Sequence, residues 1–281
     1  MSTNIQYLPI HELQPAPNNP FHVTMNSEMG DLIESIDANG VIEPLIVRLS
    51  ENNDYEIVSG HRRKFACEYL GLQTVPVIVR ELDRNEAIIA LVDSNLHREN
   101  ILPSEKAFGY MLKMSALSAQ GKRTDLTSCQ VGTKFRSDEF MAMNAEDSAR
   151  QIQRYIRLTN LIPEILDMVD KKLMAFTPAV EISYLTELEQ RDLYYEMEAQ
   201  AATPNLSQAQ QLRNLSRQGL LGEYEIARIV GAEKPNQRER LRIPMERIRK
   251  YFPQSYTTAQ IEDSIIKLCE AQFRRRTERE R

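Results

Sequence analysis

Only three cysteines stand in the 281 residues, Cys67, Cys129 and Cys269, far apart and without a Cys-x-x-Cys pair. That argues against a disulfide framework, and with only four scattered histidines it argues against a His/Cys zinc cluster as well. Long apolar runs are missing too: nothing approaches the roughly 18–20 residues that span a bilayer. The first residues lack the basic-then-apolar pattern of a signal peptide. These absences point to a reducing, cytoplasmic setting. Nor is there an excess of positive charge. The formal net charge is −5, so any attraction to a polyanion depends on where charge sits rather than on its sum.

What is present is an ordinary globular composition, 42% hydrophobic and 27% charged, over a length sufficient for one large or two to three modest domains. Three regions separate by pattern. Residues 1–100 open with short β-rich runs at 5–9, 44–49, 55–59 and 75–80, which read as strands. Between them, residues 28–39 put Leu32, Ile33 and Ile36 on one helical face and end at Gly40, and residues 62–70 form a second helix stopped by Gly71. This is a small α+β domain. Helical periodicity follows at 85–97 and 104–117, with Pro103 at the break and Ser104 as N-cap. Residues 121–136 are polar and less regular. Helices then run from 137 to 218, interrupted at Pro163, Pro178 and Pro204, so that 101–218 reads as an all-α domain. Residues 219–281 form a basic helical region ending in Arg274-Arg275-Arg276. There Ile261, Ile265 and Leu268 make a stripe that could pair with a second copy or pack within the domain. The basic tail reads equally as a solvated helix end or as a contact to a nucleic-acid backbone.

Two constellations carry chemistry. The first is a helix-turn-helix pattern. Ser137 caps a short helix with Phe140, Met141 and Ala142 on its apolar face, a break falls at 144–147, and Ser148 starts a second helix. Ile152, Ile156 and Leu158 face inward. Arg150, Gln151, Gln153, Arg154 and Arg157 lie opposite, long donors able to reach base edges or phosphates from a helix in the major groove. Ser148 is placed to bond a phosphate at the helix N-terminus. An exposed amphipathic helix shows the same residue types. Glu146 stands where a tight turn usually has glycine, a position that favours positive φ.

The second constellation is Val58-Ser59-Gly60-His61-Arg62-Arg63, a strand running through glycine into a helix. Helix-start N–H groups and two guanidiniums make an anion site. About thirty residues on, Asp93-Ser94-Asn95-Leu96-His97-Arg98-Glu99-Asn100 is a polar cluster at the end of an amphipathic helix, suited to completing a phosphate or metal site.

Taken together these residues resemble the ParB/RepB/Spo0J-like family of partition proteins over roughly residues 5–190. Gly40-Val41-Ile42-Glu43-Pro44-Leu45 is similar to its first motif, Gly60-His61-Arg62-Arg63-Lys64-Phe65-Ala66 to its arginine box, and Ser94-Asn95-Leu96-His97-Arg98-Glu99 to its third motif. Asp147 to Leu158 is similar to its reading helix. The resemblance implies an α+β ParB/sulfiredoxin-like N-terminal domain, a helix-turn-helix domain, and a C-terminal region used for dimerisation. It implies a homodimer in the cytoplasm, associated with the nucleoid, that binds a palindromic double-stranded DNA site. CTP with Mg²⁺ would close the dimer into a clamp, and a ParA-type ATPase would move the complex. The implied nucleotide site is Gly40, Glu43, Gly60, His61, Arg62, Arg63, Ser94, Asn95 and Arg98, with Gly60, Arg62 and Arg63 on the triphosphate and Asn95 on the metal. Ser148, Arg150, Gln151, Gln153, Arg154 and Arg157 would contact DNA.

Three departures bear on the switch. His61 and Ser94 stand where the family has glutamates, and Glu43 where it has glutamine. Fewer carboxylates near the metal weaken Mg²⁺ binding, which leaves CTP hydrolysis in question and lends more weight than in a standard member to the alternative, a sequence-specific transcription regulator of the same fold without a working nucleotide switch. Asp93 and Glu99 are nearby carboxylates that could substitute. Sulfiredoxin shares the N-terminal fold, but its nucleophilic cysteine precedes a His-Arg pair, and here Gly60 does. Cys67 falls in the following helix at an apolar position and reads as core. No carboxylate constellation for a two-metal nuclease or kinase stands out.

Overall fold

Short runs of β-branched residues build a mixed sheet: β1 Ile5–Pro9, β2 Leu13–Pro15, β3 Leu45–Leu49, β4 Tyr55–Ser59 and β5 Thr74–Val79. The computed structural model describes residues 4–98, 100–124, 147–232, 245–253 and 255–279. Among these the strand order is β1-β5-β3-β4-β2. The β1/β5 and β3/β4 pairs are antiparallel, and β5/β3 and β4/β2 are parallel. The strands expected at 5–9 and 55–59 form with those bounds, and β3 and β5 begin one residue away from expectation. β2 was not expected. Three residues ending in a proline show no alternation, and only the parallel pairing of Leu13 with Tyr55 and Gln14 with Glu56 makes them a strand.

Helix α1 (Ser27–Asn39) starts at Asn26, whose side chain accepts from the Met29 N–H, and buries Met29, Ile33 and Ile36. The first of these replaces Leu32, which is only half-buried. Helix α2 (His61–Tyr69) buries Ala66 and Cys67. Helix α3 (Arg84–Leu96) begins with a capping box between Asp83 and Glu86. Met29, Ile33, Leu45, Val47, Ile57, Ala66, Cys67 and Val77 share the core of the sheet region. Cys67 is fully buried, and burial pushes its thiol pKa up, which keeps it a core group as expected.

Helix α4 spans Pro103–Thr124, longer than the expected 104–117. Ser104 is not its cap. Proline already suits the first helical position, where its missing N–H costs nothing. Ser104 instead sits in the first turn, and both its N–H and hydroxyl donate to Asp170, at 2.9 and 2.5 Å. Beyond residue 146 come α5 (Ala149–Arg157), a 3-10 turn (Leu158–Asn160), α6 (Pro163–Asp170), α7 (Phe176–Ile182), α8 (Glu187–Gln200), α9 (Leu206–Arg217) and α10 (Glu223–Val230). Pro178 does not interrupt α7. It lies in the first turn, where N–H groups have no intrahelical partner in any case. These helices share a second apolar core that includes Leu158, Ile165, Ile182, Leu193, Leu212 and Ile226. Buried Gln190 ties three segments together, donating to the Asn160 and Leu185 carbonyls and accepting from the Ile162 N–H.

The chain divides into two units, Met1–Ala232 and Glu233–Arg281. The second contains α11 (Met245–Arg249) and α12 (Thr258–Arg279). Ile261 is buried there, Ile265 is half-buried, and Leu268 is exposed, so the anticipated stripe is only partly covered within the chain. No helix among the described residues is long and apolar enough to cross a membrane.

Candidate nucleotide pocket and DNA-reading helix

The sheet brings the Gly60–Arg63 turn and the end of α3 to one place. β4 delivers Ser59 and Gly60 to the head of α2, and Gly60 takes φ 108° and ψ 21°. A Cβ there would lie 2.8 Å from Leu45 Cγ and 3.4 Å from Leu45 Cα. Both the backbone conformation and the closeness of β3 therefore demand glycine. The same contact excludes a cysteine nucleophile at this position.

Around Gly60 opens a pocket of about 460 Å³, within the range of small-molecule sites. Arg62 and Arg63 line it from α2, Ser94 and Asn95 from α3, and Arg98 from just beyond. Glu43 completes the set expected from sequence, with two exceptions. Gly40 is not among the lining residues; it ends α1 with φ 71°. His61 lies buried beside the lining residues rather than among them. Glu99 lies outside the described residues. Sequence reasoning missed Glu28 and Leu32 of α1, which also line the pocket; they are distant in the chain, and no local motif announces them.

The arginines differ in how they are held. Arg63 donates to the carbonyls of Glu43 and Pro44 at 2.6 and 2.9 Å, which straps α2 to the start of β3. Arg62 makes a weak pair with Glu28 at 3.4 Å. Burial, and then the Arg62 charge, lower the pKa of Arg98. Two like charges are thus held close at a helix N-terminus, an arrangement that an anion would relieve. Asn95 is 3% exposed. Its amide donates to the Leu91 carbonyl at 2.8 Å, but its Oδ1 has no partner. An orphaned buried oxygen acceptor fits a hard cation. The described residues hold no group of three His, Cys, Asp or Glu side chains for a metal. Mg²⁺, however, commonly takes one or two protein oxygens and completes its coordination with phosphate and water. His61 is held neutral: burial first, then Arg98 and Lys64, bring its pKa down to about 4, and its Nε2 has no partner. The His61 position therefore carries no carboxylate charge.

In the second constellation, Ser148 caps α5 as expected, accepting from the Gln151 N–H at 3.3 Å. Its hydroxyl proton stays available for an acceptor. Ile152 is fully buried against Tyr110. Asp147, just before the cap, accepts from Tyr110 Oη and pairs with Lys106, both at 2.6 Å. These α4 residues fix where α5 begins, and their i, i+4 spacing on one helix face is a signal that could have been read. Ser148, Arg150 and Gln153 are exposed. Arg154 is half-buried, stacked 4.9 Å from the Phe176 ring and bonded to Gln151 and Thr177. Arg157 turns into the packing. It donates to the Ser183 carbonyl at 3.0 Å and lies 3.9 Å from the centroid of Tyr184. Arg213 stacks on the same ring and pairs with Glu181. The expected first helix at 137–142 and the turn at Glu146 lie outside the described residues, as do the side chains of Arg274–Arg276.

Residues 1–96 match the family model described as ParB N-terminal domain. Among curated proteins, the chromosome-partitioning protein Spo0J of Thermus thermophilus is 32% identical over 164 residues, 58% of this chain and 54% of that protein. The chromosome-partitioning protein ParB of Caulobacter vibrioides is 32% identical over 150 residues, 53% of this chain and 48% of that protein. The chain thus spans about half the length of these relatives. A crystal structure of C-terminally truncated ParB from Caulobacter crescentus, complexed to the centromeric parS site, matches with TM-score 0.44 at 23% identity, covering 80% of this chain and 98% of that one.

Proposed function

From the presence of a ParB N-terminal domain, we propose that this chain is a DNA-binding partition protein that acts as a dimer on a palindromic, centromere-like site and is gated by CTP with Mg²⁺. The observation that carries the reading is the pocket. Two motifs some thirty residues apart meet there, with Arg62 and Arg98 close together at the head of α2 and the Asn95 oxygen orphaned beside them. Phosphates of a nucleotide would fall to Gly60, Arg62, Arg63 and Arg98. Asn95 would help hold the cation, which neutralises the triphosphate when bound. Ser148, Arg150, Gln151, Gln153 and Arg154 would meet DNA, and Arg157 would support them from behind. A ParA-type ATPase is the partner proposed for moving the complex during chromosome, plasmid or mobile-element segregation in the cytoplasm, at the nucleoid.

Sequencing of genomic fragments bound by the purified chain would locate the site. Residence on a duplex carrying it would then be followed with and without CTP and Mg²⁺. A nucleotide-dependent change in residence, together with broad spreading around one palindrome, supports the clamp. Isolated promoter peaks and residence indifferent to nucleotide overturn it in favour of a transcription regulator of the same fold.

A further inference from the structure

The acceptor groups of the pocket do not suit a bare polyanion. Arg62, Arg98 and the α2 N-terminus draw phosphate in, yet Glu28 and Glu43 line the same space and the buried Asn95 Oδ1 has no donor. Oxygen acceptors facing a ligand rich in oxygen acceptors repel it, or stay unpaired, unless a cation stands between them. The two carboxylates are not equivalent. The Glu43 side chain is 82% exposed and 3.6 Å from Arg63, which is already strapped to backbone carbonyls. The Glu28 side chain is 48% exposed but better held. It stands in the first turn of α1, where the helix dipole favours a negative charge. One of its oxygens accepts from Asn100 at 2.9 Å, and the other lies 3.4 Å from Arg62. Asp93 of the α3 motif is occupied by an ion pair with Lys113, and the buried Glu105, whose charge acts on Arg98, accepts from the His22 and Leu102 N–H groups.

We infer that Glu28 is the carboxylate through which this pocket takes a divalent cation together with a nucleoside triphosphate, so that it makes nucleotide binding depend on the cation. The inference rests on the pocket being a nucleotide site. Without the cation, Glu28 competes with phosphate for the Arg62 guanidinium and repels the incoming charge. With the cation, the same carboxylate and the Asn95 oxygen become attractive.

Calorimetric titration of the full chain with CTP, in EDTA and in excess Mg²⁺, tests this on wild type, Glu28→Gln and Asn100→Ala. The wild-type chain binds CTP more tightly with Mg²⁺. Glu28→Gln binds at least as tightly as wild type in EDTA and loses on the order of tenfold of the Mg²⁺ gain. Asn100→Ala, which only loosens Glu28, shows a smaller loss in the same direction. Mn²⁺ resonance spectra in the presence of CTP give a readout that a merely structural role does not move. If Glu28→Gln melts early, Glu28→Asp keeps the charge and is expected to keep part of the gain. A Mg²⁺ gain unchanged in Glu28→Gln, or equal weakening with and without Mg²⁺, overturns the inference. A wild-type chain that binds CTP in neither condition overturns the reading of the pocket along with it.

Discussion

Two arginines of the pocket, Arg62 and Arg98, and two of helix α5, Arg154 and Arg157, meet opposite fates. Arg62 and Arg98 line the same pocket; Arg62 meets Glu28 weakly at 3.4 Å, and burial first, then the Arg62 charge, lower the pKa of Arg98 against the opposing charges of Glu105 and Glu28. Arg154 and Arg157 are engaged inside the protein, by Phe176 and Thr177 in one case and by Tyr184 and the Ser183 carbonyl in the other, with Arg157 Nε left without a partner. A guanidinium stacked on an aromatic ring and bonded to a carbonyl positions the helix that carries it. A guanidinium facing another across an open pocket waits for a ligand. By this reasoning Arg157 holds α5 in place, and under the proposed function the exposed Ser148, Arg150 and Gln153 are the foremost candidates to meet DNA.

The contrast can be broken at several points. Gly60→Ala should have the largest effect, because strain at positive φ combines with a clash against Leu45; a loss of roughly 2–5 kcal/mol of stability in denaturant melts, with CTP binding abolished, is expected. Next comes the pH response of His61. Its folded pKa near 4 lies below the ordinary 6.5, so the unfolded chain binds the extra proton between those values. The stability it contributes is complete above pH 6.5 and is lost as pH falls toward 4, on the order of 3 kcal/mol at most. Melting His61→Asn across that window should show a flatter profile than wild type. Arg157→Ala should cost about 2 kcal/mol through the lost ring stack and hydrogen bond. Arg62→Ala, by contrast, should leave the melting temperature nearly unchanged while weakening CTP binding about tenfold or more. Comparing the two variants in both assays separates packing from ligand binding. Smaller still is Ser148→Ala, with about 1 kcal/mol from the lost cap and weaker duplex binding. Arg150→Ala should leave stability alone and flatten the salt dependence of duplex binding by about one phosphate contact.

What could be read from sequence was local. β1 and β4 declare themselves by β-branched and aromatic runs, the α1 end by Gly40, and the α5 start by Ser148, each feature being set by its own few residues. β2 could not be read, since its identity comes from Tyr55 and Glu56 forty residues away. The cap at Ser104 failed because the helix already starts at Pro103, and Asp170, sixty-six residues on, takes the hydroxyl. In the site the same division holds. Gly60, Arg62 and Asn95 follow from motifs, whereas Glu28 enters from a helix that carries no motif. The burial of Arg157 depends on Tyr184, twenty-seven residues later in the chain.

The measurement closest to the central claim is titration of CTP with Mg²⁺ into the wild-type chain and into an Arg62→Ala/Arg98→Ala double variant, each shown to be folded by its melting curve. Saturable binding in wild type that disappears in the double variant is the predicted result. No binding in wild type, or binding that survives loss of both arginines, would contradict the account.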